Sequence, residues 1–199
     1  LTQRLITDNT GTVPATISQA LHNYFRVGDA GRVDVEGVDG LDYLDKYENY
    51  AQARRQQGPW NLRDARDPGR SDRIYTQAGG RYVLHDPVLK RRIILETQGS
   101  RSLVAWNPGQ AGAAGMADVG AGWRNYVCLE AANAGPDVIT LPAGAKPEIC
   151  GWYDSTFELS QGLEITEHDR VTDMVPLREA VKDVHAAGMR LALDDFGDG

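Results

Sequence analysis

Two groups of residues in this chain have side chains able to do chemistry. The first is His22 and Glu130, with Asp72 between them in the sequence. An imidazole titrates near neutrality, and a carboxylate can take or return a proton. One acid and one base acting on a cyclic hemiacetal can open it and close it on the other face. The acid protonates the ring oxygen while the base removes the proton from the C1 hydroxyl, with no metal or cofactor. A third polar group such as Asp72 can hold sugar hydroxyls. The second group is Glu164, Asp194 and Asp195, near the C-terminal end. Carboxylates at strand ends suit Mg²⁺ or Mn²⁺, which prefer oxygen ligands and can activate a water.

The elements that must position these groups differ along the chain. Short apolar or alternating runs recur at Leu21–Val27, Arg32–Glu36, Asp72–Gln77, Tyr82–His85, Arg92–Thr97, Leu103–Trp106, Tyr126–Glu130 and Val138–Leu141. Gly, Pro, Asn and Asp turns separate them, a pattern that predicts an antiparallel β-sandwich or barrel. Period-two alternation over Leu21–Arg26 puts His22, Tyr24 and Arg26 on one face. The same reading sets Tyr126, Cys128 and Glu130 opposite Val127, Leu129 and Ala131. The polar stretch Lys46–Arg70 reads as a long loop. Trp106 and Trp123 read as core or turn anchors.

After Glu158 the pattern changes. A strand candidate at Gly162–Thr166 precedes a helix with Pro176 near its first turn and Gly188 at its end. A buried strand at Arg190–Leu193 follows. Strand, helix and strand at this length predict a βαβ unit with a parallel sheet, part of a TIM-type barrel. Glu164 then sits on the first strand, and Asp194 and Asp195 end the second.

Composition divides the chain at the same region. Of the 199 residues, the 49 from Gly151 onward hold eleven acidic and four basic side chains, so the whole net charge of −7 falls there. Residues 1–150 are balanced. The division predicts a β-sandwich over 1–150 and a βαβ appendage over 151–199. An acidic tail with no basic patch argues against a nucleic-acid partner. No apolar run approaches the length of a membrane span, and no secretory signal pattern is visible. A cytoplasmic protein with Cys128 and Cys150 reduced is the expectation.

Several motifs carry a resemblance. Ala20-Leu21-His22-Asn23-Tyr24-Phe25, Val35-Glu36-Gly37-Val38-Asp39-Gly40, Asp72-Arg73-Ile74-Tyr75, Trp106-Asn107-Pro108, Met116-Ala117-Asp118 and Val127-Cys128-Leu129-Glu130 occur in that order. Residues 1–148 thereby resemble the C-terminal half of the D-hexose-6-phosphate mutarotases (glucose-6-phosphate 1-epimerases), a branch of the aldose 1-epimerases. The resemblance implies a galactose-mutarotase-like sandwich and an isomerase needing no cofactor. It implies His22 as acid, Glu130 as base, and Asp72, Tyr24 and Arg73 as substrate-binding residues for a hexose 6-phosphate. The arginines that hold the phosphate in that family lie in its N-terminal half, outside the matching region.

Residues 157–199 resemble part of an EAL-type cyclic-di-GMP phosphodiesterase, on Leu163-Glu164-Ile165-Thr166-Glu167 and Asp194-Asp195-Phe196-Gly197. That resemblance implies Glu164, Asp194 and Asp195 as ligands for Mg or Mn. The name-giving Glu-Ala-Leu and most of the site have no match here. A metal-dependent cyclic-dinucleotide hydrolase fragment and a non-catalytic carbohydrate-binding module are the alternatives to the isomerase reading.

Overall fold

The computed structural model describes residues 1–158 apart from Asp67, together with Glu164–Ile165. The described chain is mainly β, and its strand pairs are all antiparallel. In chain order the strands are β1 (Thr2–Ile6), β2 (Ala15–Ile17), β3 (Gln19–Leu21), β4 (Tyr24–Arg26), β5 (Asp34–Glu36), β6 (Asp42–Asp45) and β7 (Arg54–Arg55). They continue with β8 (Ser71–Thr76), β9 (Arg81–Asp86), β10 (Arg91–Gln98), β11 (Ser102–Asn107), β12 (Tyr126–Asn133), β13 (Ile139–Leu141), β14 (Glu148–Glu158) and β15 (Glu164–Ile165).

Two sheets dominate. The first has the order β1-β14-β10-β9-β5, with β15 also on β14. The second has the order β3-β12-β11-β8-β6-β7, with β4 also on β12. A separate ribbon pairs β2 with β13. Alternation along each strand sends one set of side chains inward. Phe25, Tyr43, Tyr75, Leu103, Ala105, Val127 and Leu129 from the second sheet meet Val35, Tyr82, Leu84, Ile93, Leu95 and Tyr153 from the first in one core. Burial of side chains this size contributes about 1.5–3 kcal/mol each, before the entropy of ordering them is set against it.

The polar stretch 46–70 is more structured than a loop. Arg54 and Arg55 form β7 against β6, and Trp60 makes a two-way backbone pair with Val35 at 2.9 Å each way. The Trp60 indole is fully buried and donates to Ser71 Oγ at 2.9 Å, which donates in turn to Ala105 O at 2.8 Å. Two large side chains, Trp60 and Leu62, therefore pin a segment whose composition is otherwise polar. They stand apart from any longer apolar run, so periodicity does not reveal them.

The strand expected over Leu21–Val27 is split into β3 and β4. Asn23 is the cause: its side-chain amide donates to Leu21 O at 3.1 Å and also to the Tyr153 hydroxyl. The side chain takes the carbonyl that a continuous strand would offer its neighbour. Both pieces stay in register on β12, with Leu21 opposite Ala131 and Tyr24 opposite Cys128.

At the C-terminal side, β14 runs without a break through the composition change near residue 150. The strand expected at Gly162–Thr166 is seen as Glu164–Ile165, antiparallel to β14. The helix and the second strand expected after it, with Asp194 and Asp195, lie outside the described residues.

Candidate active site

The site builds from the outward face of the second sheet. Register carries His22, on the break between β3 and β4, to the position opposite Glu130 of β12. His22 Nε2 lies 3.2 Å from Glu130 Oε1. The imidazole is about half exposed, while the Glu130 side chain is 7% exposed. The carboxyl therefore sits at the bottom of the site with the imidazole at its edge.

A second row runs alongside. Tyr24 of β4 faces Cys128 of β12, Cys128 faces Trp106 of β11, and Trp106 faces Asp72 of β8. Rings of this row crowd the pair. His22 stacks on Tyr24 with centroids 4.9 Å apart and 19° between planes, and Trp106 lies edge-on to His22 at 6.0 Å. Tyr126 packs on Tyr24 at 5.1 Å and on Trp106 at 6.0 Å. An aromatic wall beside polar groups suits a sugar ring, which offers apolar C–H faces and hydroxyl edges.

Burial sets the protonation of the pair. Desolvation, and then the charge of Asp72, push the Glu130 carboxyl up to about 8. Desolvation lowers the His22 imidazole. Both shifts disfavour the charged forms, so near neutral pH a protonated Glu130 faces a neutral His22. Cys128 is buried beside Glu130 and burial raises its thiol strongly, so it contributes no thiolate. Among the described residues both cysteines are free.

Supporting contacts fix the framework. Asn107, fully buried, donates to Trp123 O at 2.8 Å and to Tyr126 O at 2.7 Å, and accepts from Gly109 N at 2.9 Å. It thereby ties the end of β11, beside Trp106, to the start of β12. Gly109 has φ +64°, and a Cβ there would run into the Gly69 carbonyl. This closes the Trp-Asn-Pro corner on the approach to β8. Behind β4, Arg91 donates to the Arg26 carbonyl, and Asp86 accepts from Gly28 N at 3.0 Å. Buried polar contacts from the first sheet thus hold the strand that follows His22.

Of the residues expected from sequence, the structure brings together His22, Tyr24, Glu130 and Asp72. It does not bring Arg73 to them. Arg73 follows Asp72 in β8 and so points the other way. It is 1% exposed and donates to Asp64 Oδ2 at 2.7 Å and Gln56 Oε1 at 3.2 Å. Its Nε lies 3.6 Å from Asp45 Oδ2, and its guanidinium sits over the Tyr43 ring at 4.5 Å. A cavity of about 570 Å³ lined by Arg55, Gln56, Arg63, Asp64, Arg66 and Arg73 lies on that reverse side. The alternation that separates Asp72 from Arg73 was available in the sequence as a signal. Lys46 has no role in the sequence reading, yet its Nζ reaches Asp72 Oδ2 at 3.2 Å from the end of β6. Trp106 stands on the site face rather than in the core. Glu164 is placed only as a strand residue, and Asp194 and Asp195 fall outside the described residues.

The described residues form mainly antiparallel sheets with the His22–Glu130 contact on the outward face of the second. Over residues 1–149 the chain matches the aldose 1-epimerase family, and it belongs to that family. It is 33% identical over 132 residues to a Salmonella typhimurium protein provisionally assigned as a glucose-6-phosphate 1-epimerase, covering 66% of this chain and 41% of that one. A Cenchrus ciliaris protein with the same provisional assignment is 33% identical over 149 residues, covering 74% and 42%. The chain thus spans less than half the length of these relatives. Among solved structures it is similar to one from Salmonella typhimurium provisionally assigned as a mutarotase. The TM-score is 0.65 and identity 26%, covering 77% of this chain and 50% of that one. Among the described residues no helix is long and apolar enough to cross a membrane.

Proposed function

We propose that this chain carries the acid–base machinery of a hexose-6-phosphate mutarotase, an isomerase that interconverts α and β anomers. The observation that carries the reading is the His22 Nε2–Glu130 Oε1 contact of 3.2 Å on an aromatic-walled face with Asp72 nearby. The names of the relatives support the hexose-phosphate substrate.

The reaction follows from the pair's protonation. Before sugar binds, the proton sits on Glu130. Sugar hydroxyls donating to that carboxyl favour its ionised form, and the proton passes across the 3.2 Å contact to His22. Imidazolium then faces the ring oxygen as acid, and carboxylate faces the C1 hydroxyl as base. Ring opening moves one proton to the ring oxygen and one from O1 to Glu130. After the C1 carbonyl turns, the same transfers in reverse close the other anomer. Proton balance closes with no cofactor. Asp72 and Tyr24 hold the sugar over the pair, and the reaction takes place in the cytoplasm.

Anomer exchange of glucose 6-phosphate, followed by magnetisation-transfer NMR in EDTA, tests the reading. Exchange above the buffer rate that disappears in Glu130→Gln is expected. A wild-type rate equal to buffer overturns it.

A further inference from the structure

Tyr153 of β14 reaches the break beside His22 from the opposite sheet. Its hydroxyl accepts from the Asn23 amide, and its ring packs on Phe25 with centroids 5.5 Å apart. Both rings are buried. A carbonyl only accepts, so the amide nitrogen of Asn23 must face Leu21 O, at 3.1 Å. The second proton of that nitrogen goes to Tyr153, and both donors of the amide are then spent. Two residues earlier on the same face of β14, Gly151 leaves the room this requires. A Cβ there would run into the Tyr153 hydroxyl and ring. Burial, against the pull of the Asn23 bond, pushes the Tyr153 hydroxyl up to about 12, so it stays protonated.

One short stretch of chain links this clamp to the chemistry. Asn23 and Phe25 meet Tyr153 on the inner side. His22 and Tyr24 stack on each other on the outer side, and His22 Nε2 stands 3.2 Å from Glu130 Oε1. The imidazole is about half exposed, so few contacts of its own fix it and its placement follows the backbone. Asn23 is joined to His22 by one planar peptide, so a turn of the Asn23 backbone tilts the residue before it. We infer that Tyr153 is a positioning residue for His22, its hydroxyl setting the imidazole against Glu130 from across the sandwich. The inference rests on the mutarotase reading for its rate readout. A shift of about 1 Å would carry a 3.2 Å contact beyond hydrogen-bond range and slow proton transfer.

Tyr153→Phe keeps the ring on Phe25 and removes the hydroxyl alone, and far-UV circular dichroism checks its fold. Gly151→Ala, which displaces the hydroxyl, takes its place should that variant not fold. Leu95→Val is the comparison, a core change at the β10 residue paired with Tyr153. In the full chain, kcat for glucose 6-phosphate exchange is expected to fall about tenfold in Tyr153→Phe, with KM unchanged. The His22 Cε1–H resonance, assigned by its loss in His22→Ala, is expected to shift as the stacking on Tyr24 loosens. Leu95→Val is expected to lower the urea midpoint and to change neither kcat nor the resonance. An unchanged kcat in Tyr153→Phe, or an equal loss in Leu95→Val, overturns the inference and leaves the mutarotase reading standing. If wild type exchanges no faster than buffer, the mutarotase reading falls and the His22 resonance decides. A shift in Tyr153→Phe that Leu95→Val lacks upholds the positioning role, and the absence of that difference overturns it.

Discussion

Asn23 donates its side-chain amide to the carbonyl of Leu21 at the break in the ladder where His22 stands opposite Glu130. A continuous strand would lock His22 into regular pairing with β12. The break leaves its ring stacked on Tyr24 with Nε2 on the carboxyl. Replacing Asn23 by Ala removes the bonds to Leu21 and to the Tyr153 hydroxyl together. Stability is expected to fall by about 1–3 kcal/mol by urea denaturation. Anomer exchange is expected to fall by more than tenfold in the protein that remains folded, because His22 loses its placement.

The pair's protonation has a consequence for stability. Glu130 is raised in the folded state to about 8, far above its ordinary value of 4.5. Between those values the folded chain binds the proton and the unfolded chain does not. Stability from this group is therefore present at low pH and lost as pH rises toward 8. Glu130→Gln cannot ionise. The melting temperature of the variant relative to wild type is expected to rise from pH 5 to pH 8, measured by scanning calorimetry at both. A constant difference would mean that Glu130 ionises freely in the fold.

Arg73 is the converse case, a charge serving the fold. Its guanidinium is buried between Asp64 and Asp45 beneath the Tyr43 ring. Arg73→Met leaves Asp45, 3% exposed, without that cation. The expected loss is about 3–5 kcal/mol, read by urea denaturation. A loss below about 1 kcal/mol would contradict the buried ion pair.

How far these residues could be read in advance depends on where periodicity reaches. Val127 and Leu129 go to the core and Glu130 to the outer face, as two-residue alternation along β12 requires. The same rule applied within Asp72-Arg73 separates the two, whereas the motif as a block suggests a shared role. Trp60 and Lys46 sit in a polar stretch with no period, and only tertiary pairing reveals them: Trp60 through Val35 and Ser71, Lys46 through Asp72. The split at Asn23 was equally hidden, since a side chain competing for a backbone carbonyl leaves the apolar pattern of Leu21 and Phe25 unchanged.

The central claim is that His22 and Glu130 work as one proton-transfer unit, and a double-mutant cycle tests it most directly. Glucose 6-phosphate anomer exchange would be measured for His22→Ala, Glu130→Gln and the double variant. Either single substitution is expected to bring exchange near the buffer rate, and the double variant to lose no more. Single losses that are small, or that multiply in the double variant, would show two independent groups and contradict the pair.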